Sequence, residues 1–456
     1  MIAENAQLMG RGRITEILQS ALERSEAEQT QVSLSLKRSG LTRFARSAIH
    51  QNVAERTACL AVKAVIGKRI GFALTSSLDE RSVFAVVSEA VEVAQNQRDN
   101  PDFVSLPEPK PIGYYPETFH ESTAAFGPEE RAAAVGAVIA EADQREAEAA
   151  GSFMTVVGES AVANSLGVDA YVNHTSAFLS TVITAGSGFG AATGTAMDAA
   201  SISPSRVGAE ATDRAAASRG PIGIEPGEYD VVLLPYAVAE LIEFLGILGL
   251  GALSVQEGRS FVCGKFGRRI CSEAVTIWDD GLDPMGIVRP FDREGTPKQR
   301  VDLIVDGVAE AVVYDSHTAK KEGKESTGHA TDLTGLYGPM PANLFLRPGT
   351  SSLEDMIAST KRGILVSRFH YVNVLHPIQT ILTGMTRDGT FLIEDGRITS
   401  PVKNLRFTES ILKALSNVEL VGSDIRPVGL ERTMPGVACA PSIKIRDFRF
   451  TGVTEF

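Results

Sequence analysis

Apolar residues recur at helical spacing near the start of the chain, over Ile14, Ile17, Leu18, Ala21 and Leu22. The period then changes to two. In QVSLSLK, Val32, Leu34 and Leu36 alternate with polar residues, as a half-buried strand requires. Residues 43–52, 58–66 and 69–75 read as further strands. Asp79 is placed to cap a second helix that carries Val83, Val86, Val87, Ala90, Val91 and Ala94 on one face. The same order returns after Gly127-Pro128, where proline suits a first helical turn. A helix to about Ala149, strands over 154–157, 169–174 and 177–185, and a helix after Pro204 make up the second copy. Residues 98–126 hold five prolines and predict an extended linker between the copies.

The pattern therefore predicts an N-terminal α/β domain over 1–221, in which a helix–strands–helix unit occurs twice, at about 10–97 and 127–220. Beyond Pro221 short strands dominate: GEYDVVLLP, VTIWDDG, FDREGTPKQ, TGMTRDGTFLIEDGRI and SIKIRDFRFTG. Asp-Gly at 280–281, 388–389 and 395–396 suits tight hairpin turns. Residues 222–456 read as a β-rich domain, and the whole chain as α+β.

One segment breaks that texture. Residues 234–253, LPYAVAELIEFLGILGLGAL, are apolar except for Glu240 and Glu243. A spanning helix needs about 20 apolar residues, and each central carboxylate would cost roughly 2.5–3.5 kcal/mol in a bilayer. Pro235 lies near the start and flanking Lys/Arg anchors are missing, so the run predicts a buried helix. Glu240 and Glu243 are three apart and share a face. That face meets solvent or backbone donors in the plain reading, and lines a cleft in the sharper one.

Composition narrows the function classes. The 456 residues carry a formal charge of −12 and a mean hydropathy of +0.02. An acidic average surface argues against nucleic acid as a partner, because that affinity rests on clustered Lys and Arg. Met1–Ala6 has neither a basic nor an apolar leader region. Four scattered cysteines, at 59, 263, 271 and 439, then read as reduced thiols in a cytoplasmic protein.

Several segments, in order along nearly the whole chain, resemble the TldD/PmbA family, described both as modulators of DNA gyrase and as zinc-dependent peptidases. They are RFARSAIHQN at 43–52, EGRSF at 257–261, WDDG at 278–281, FDREGTPKQ at 291–299, residues 383–410, and GVACAPSIKIRDFRFTG at 436–452. The resemblance implies an α/β N-terminal domain and a mostly β C-terminal one. Active members carry His-Glu-x-x-x-His on the helix matching 234–253: two imidazoles and a C-terminal cysteine bind zinc, and the glutamate is general base. Aligned on glycine, this chain has Ile242-Glu243-Phe244-Leu245-Gly246-Ile247 there, so Glu243 takes the general-base position and isoleucines replace both histidines. A shift of one residue supplies Glu243 and Leu248 instead. Cys439, at the place of the cysteine ligand, stands alone. The resemblance thus implies a TldE (PmbA)-like subunit with no metal of its own. It would pair with a zinc-bearing TldD-like subunit to process peptides or unfolded polypeptides, as a homodimer in isolation or a heterodimer with its partner.

Other residues are candidates for chemistry. His370 and His376, in HYVNVLH, share a strand face but sit about 20 Å apart. They meet at one ion only across a turn, and a structural histidine is the commoner case. His317 and His329 flank the loop AKKEGKESTG, most simply solvated. Cys439 lies in the apolar run Val-Ala-Cys-Ala-Pro, which raises a thiol pKa and favours a buried structural role over a nucleophile. GSGFGAATG at 186–194 fits neither a dinucleotide fingerprint nor a phosphate loop. Glu240, His370 and Cys439 are the cleft-lining candidates, and two rival readings stay open: an independent peptidase with a different metal site built from Glu243, His370 or Cys439, and a non-proteolytic regulator of gyrase.

Overall fold

The computed structural model describes residues 8–331, 337–429 and 436–454. The leader reading of Met1–Ala6 lies outside them. Two copies of one plan fill the first half. Helix α1 (Arg11–Arg24), strands β1 (Gln29–Ala45), β2 (Ala48–Ile66) and β3 (Arg69–Thr75), and helix α2 (Glu80–Asn96) form the first. After a short helix α3 (Glu121–Ala124), α4 (Pro128–Asp143), β4 (Glu148–Asn164), β5 (Asp169–Ala185), β6 (Gly188–Ala196) and α5 (Pro204–Ala217) form the second. Each copy contributes a three-stranded meander. The meanders join through β1 and β4 into one antiparallel sheet of order β3-β2-β1-β4-β5-β6. Asp79 caps α2 as the sequence predicts, accepting from the Ser82 N–H.

Two local expectations are corrected. Residues 43–52 are not one strand: Arg46 and Ser47, both at positive φ, turn the chain between β1 and β2. That is the geometry a two-residue hairpin needs, here without glycine. The helix expected to reach Ala149 stops at Asp143. Its tail, rich in helix formers, is drawn into β4, where Ala149 pairs with Ile183 and exchanges hydrogen bonds with Ser47. Sheet pairing overrides propensity.

In the second half, strand β7 (Glu228–Leu233) pairs in parallel with 362–376 and antiparallel with 443–453. The circuit continues through 405–410 and 381–394 and returns to 362–376, so these five strands close a ring. Closure leaves no free edge among them. Phe369, Phe407, Phe448 and Phe450, all buried, stack within the large core of this half. A second sheet is assembled from 308–309, 301–305, 277–279, 343–346, 437–440 and 426–429, in that order.

Of the three Asp-Gly pairs, only Asp395-Gly396 makes a hairpin turn, between 381–394 and 397–401. Asp388-Gly389 sits inside strand 381–394, where the ladder shifts register; both residues have positive φ. A Cβ on Gly389 would meet the Arg214 side chain of α5, so this irregularity lets the barrel approach the first half closely. Asp280-Gly281 leads into an irregular loop. FDREGTPKQ, expected as a strand, is a tight loop in which Gly295 has positive φ and a single bridge joins Phe291 to Pro297.

Candidate functional site

The apolar run forms helix α6 (Pro235–Gly249), with proline in its first turn. Twelve of its fifteen residues are buried, Glu243 among them, so the helix lies in the core. Glu240 is partly exposed. Among the described residues, no helix is long and apolar enough to cross a membrane. α6 packs against strands 362–376, 343–346 and 437–440. Ile242 has no exposed surface.

Strand 437–440 alternates. Ala438 and Ala440 join the core that includes α6, whereas Val437 and Cys439 pack with Met197, Ile287, Val288 and Phe345. Cys439 therefore points to the sheet face opposite the helix. Burial pushes its thiol up to about 12, which keeps it protonated. His370 lies on strand 362–376, beside Tyr371 at positive φ, and the register shift that follows breaks the alternation toward His376. His376 is turned to its own loop, its Nδ1 accepting from the Gln379 N–H. The structure thus brings Glu240 and Glu243 onto one helix and leaves His370 and Cys439 elsewhere. Among the described residues, no group of three or more His, Cys, Asp or Glu side chains is arranged to hold a metal ion.

A polar constellation gathers instead where the second half meets the β1/β4/β5 face of the first. Asp279, from WDDG, has no exposed side chain; its Oδ2 accepts from the Ala342 and Asn343 N–H groups at 2.5 and 2.8 Å. Its Oδ1 lies 2.8 Å from Nε2 of His329, whose Nδ1 lies 2.9 Å from the Thr327 hydroxyl. With imidazole neutral, Nε2–H donates to the carboxylate and Nδ1 accepts from the hydroxyl. Burial, with Lys298 second, holds the His329 pKa below its ordinary value. Asp279 stays below the usual carboxylate range despite burial, because His329 and Lys298 favour its anion.

The FDREGTPKQ loop supplies the rest. Asp292 accepts from the Glu294 and Thr296 N–H groups on one oxygen and from the Ala330 N–H on the other, at 2.9–3.0 Å. Burial and Glu294 nevertheless push its carboxyl up to about 7. Glu294 accepts from the Ser316 N–H and hydroxyl and faces Lys63 of β2 at 3.8 Å. Gln31 of β1 donates to the Arg293 carbonyl. These groups clamp the loop between the two halves.

His329 corrects one expectation: it is fully buried, not the flank of a solvated loop. Of AKKEGKESTG itself, Lys321–Glu325 are exposed and Ser326 and Gly328 are buried. The constellation was not assembled from the sequence. Its signal was present in charged residues crowded among apolar ones in WDDG and FDREGTPKQ, but no periodicity reports a meeting of separate loops.

Residues 226–452 match the PmbA/TldA metallopeptidase C-terminal domain and 125–219 the PmbA/TldA metallopeptidase central domain. A metalloprotease from Methanothermobacter thermautotrophicus is 33% identical over 205 residues, 44% of this chain and 44% of that protein. Metalloprotease PmbA from Escherichia coli O157:H7 is 29% identical over 175 residues, 38% of this chain and 36% of that protein. The matched segments thus span less than half the length of these relatives. The crystal structure of TldE from Thermococcus kodakarensis superposes with a TM-score of 0.86 at 20% identity, covering 96% of this chain and all of that one. Fold and matched domains define an α+β protein of metallopeptidase type. The chain belongs to the PmbA/TldD family.

Proposed function

We propose that this chain is a metal-free, TldE-like subunit that pairs with a TldD-like subunit in a cytoplasmic protease acting on peptides or unfolded polypeptides. The donor set at α6 carries the reading. Zinc in this family is expected on that helix, and the residues present do not fit it. Ile242 is sealed in hydrocarbon, no imidazole occurs from 242 to 248, and Glu243 is the one carboxylate in that span. Cys439 faces the other side of its strand as a protonated thiol. A tetrahedral site needs three or four N, S or O ligands converging at about 2.0–2.3 Å. One carboxylate does not make it. The chain then contributes cleft wall and interface, with Glu240 and Glu243 on the helix as its polar groups.

The test uses the intact chain, purified with zinc present and desalted. Metal analysis should find well under one zinc per chain. Peptide cleavage should require a second, His-Glu-x-x-x-His-bearing chain. Stoichiometric zinc lost on Glu243→Ala, or peptide cleavage by the chain alone, would sink the proposal.

A further inference from the structure

Beside the buried constellation lies a cavity of about 60 Å³, lined by Ser160 and His174 of the first half and by Arg289, Asp292, Arg293 and Lys298 of the second. It has room for a few atoms or two or three waters. Arg289 is its unusual member. Its side chain is half-buried, and its Nε, sealed from solvent, has no hydrogen-bond partner. Among the described residues, no carboxylate lies within ion-pair distance of it. A guanidinium drawn partly out of water is ordinarily paired, because an uncompensated charge there is costly. Asp292, the one carboxylate in the lining, already spends both oxygens on three backbone N–H groups. Lys298 is drawn to Asp279 and Asp292, so it balances those charges and leaves Arg289 unbalanced.

We propose that this cavity is a carboxylate-binding site, with the Arg289 guanidinium as its principal donor and Ser160 and Arg293 at its wall. A planar guanidinium matches a carboxylate through paired N–H donors. The surroundings register the surplus of positive charge: Arg289 is brought down to about 10, chiefly by burial and then by Arg293, and His174 is held at about 3 by burial and by Arg289, Arg293 and Lys37. A neutral His174 leaves the anion to the arginines. This site is distinct from α6, and the inference stands whether or not the chain pairs with a protease subunit.

Titration of the intact chain, at constant ionic strength, with acetate, N-acetyl-alanyl-alanine and the amide of that dipeptide tests it. Acetate and the dipeptide acid should bind and raise the melting temperature, and the amide should not. A tighter acid than acetate assigns a peptide terminus as the source; equal affinities assign a free small anion. Arg289→Met should weaken binding about 10-fold or more, the loss of one charged hydrogen-bonding group, and Arg289→Lys should lose less. Equal shifts in wild type and Arg289→Met, or no binding of either acid, would overturn the proposal. Should the variant fail to fold, bromide soaked into crystals of the wild type decides: anomalous density beside Arg289 upholds an anion site and its absence there refutes it.

Discussion

Both ring nitrogens of His329 are engaged and none of its side chain is exposed, so folding selects the neutral imidazole. The consequence is a pH dependence with a definite sign. A folded pKa held below the ordinary 6.5 means that the unfolded chain binds a proton the native state refuses. Stability from this group is present above that value and is lost as pH falls below it. His174, held at about 3, acts in the same direction, and Asp279 adds a loss at lower pH. His329→Gln should therefore flatten the urea midpoint between pH 6.5 and 5 relative to wild type. The difference should approach 1.4 kcal/mol per pH unit at most, while the variant's stability at pH 8 falls by about 2 kcal/mol through the lost carboxylate contact. Parallel pH profiles for the two proteins would refute the assignment. None of this was legible from HYVNVLH or from the residues around His329. A histidine beside lysines and glycines reads as solvated, and only the return of that loop onto the WDDG strand buries it.

Secondary elements were more legible, because they depend on local periodicity. α1 and α2 lie where their apolar spacing puts them, and α6 where the apolar run does. Failures fall where distant contacts decide. The Asp388-Gly389 pair is good hairpin chemistry, but strand 381–394 continues through it, paired on both sides and pressed toward Arg214. Helix α6 itself allows a direct trial of how firmly its sequence excludes a metal. Ile242→His places an imidazole among Leu241, Leu245 and the apolar strands it packs on, with no exposed surface. Burying that polar ring should cost about 2–4 kcal/mol. The variant should still retain no stoichiometric zinc after desalting, because Cys439 faces away. Denaturant midpoints and metal analysis check both halves. A variant as stable as wild type, or one that binds zinc tightly, would show that the helix surface is open.

At the scale of the whole chain, the two halves are locked by a charged network at the start of α6. Glu210 of α5 accepts from Arg214, from the Tyr236 hydroxyl and from Arg426, and the two guanidinium groups lie 5.8 and 5.5 Å from the centre of the Tyr236 ring. Arg214 and Arg426 favour the Glu210 anion, lowering its pKa despite burial. The extended linker adds a seam on another side: Lys320 donates to the Ser105 and Leu106 carbonyls, and Lys321 pairs with Asp102. The linker's surface pairs are worth little individually. The Glu210 network, partly buried and held by several donors, is worth more. Removing its single carboxylate leaves the guanidinium groups of Arg214 and Arg426 beside one tyrosine without the anion that both contact. Glu210→Ala should thus cost about 2–3 kcal/mol, less than the full penalty of a wholly buried pair because water reaches one side. Glu210→Gln, which keeps an acceptor, should cost roughly half as much. The loss should appear as a lower unfolding midpoint and as faster proteolysis at residues 219–223, exposed except for the half-buried Pro221, that connect the halves. If Glu210→Ala unfolds and is cut like wild type, the linker seam and the clamp around Glu294 hold the halves together without this network.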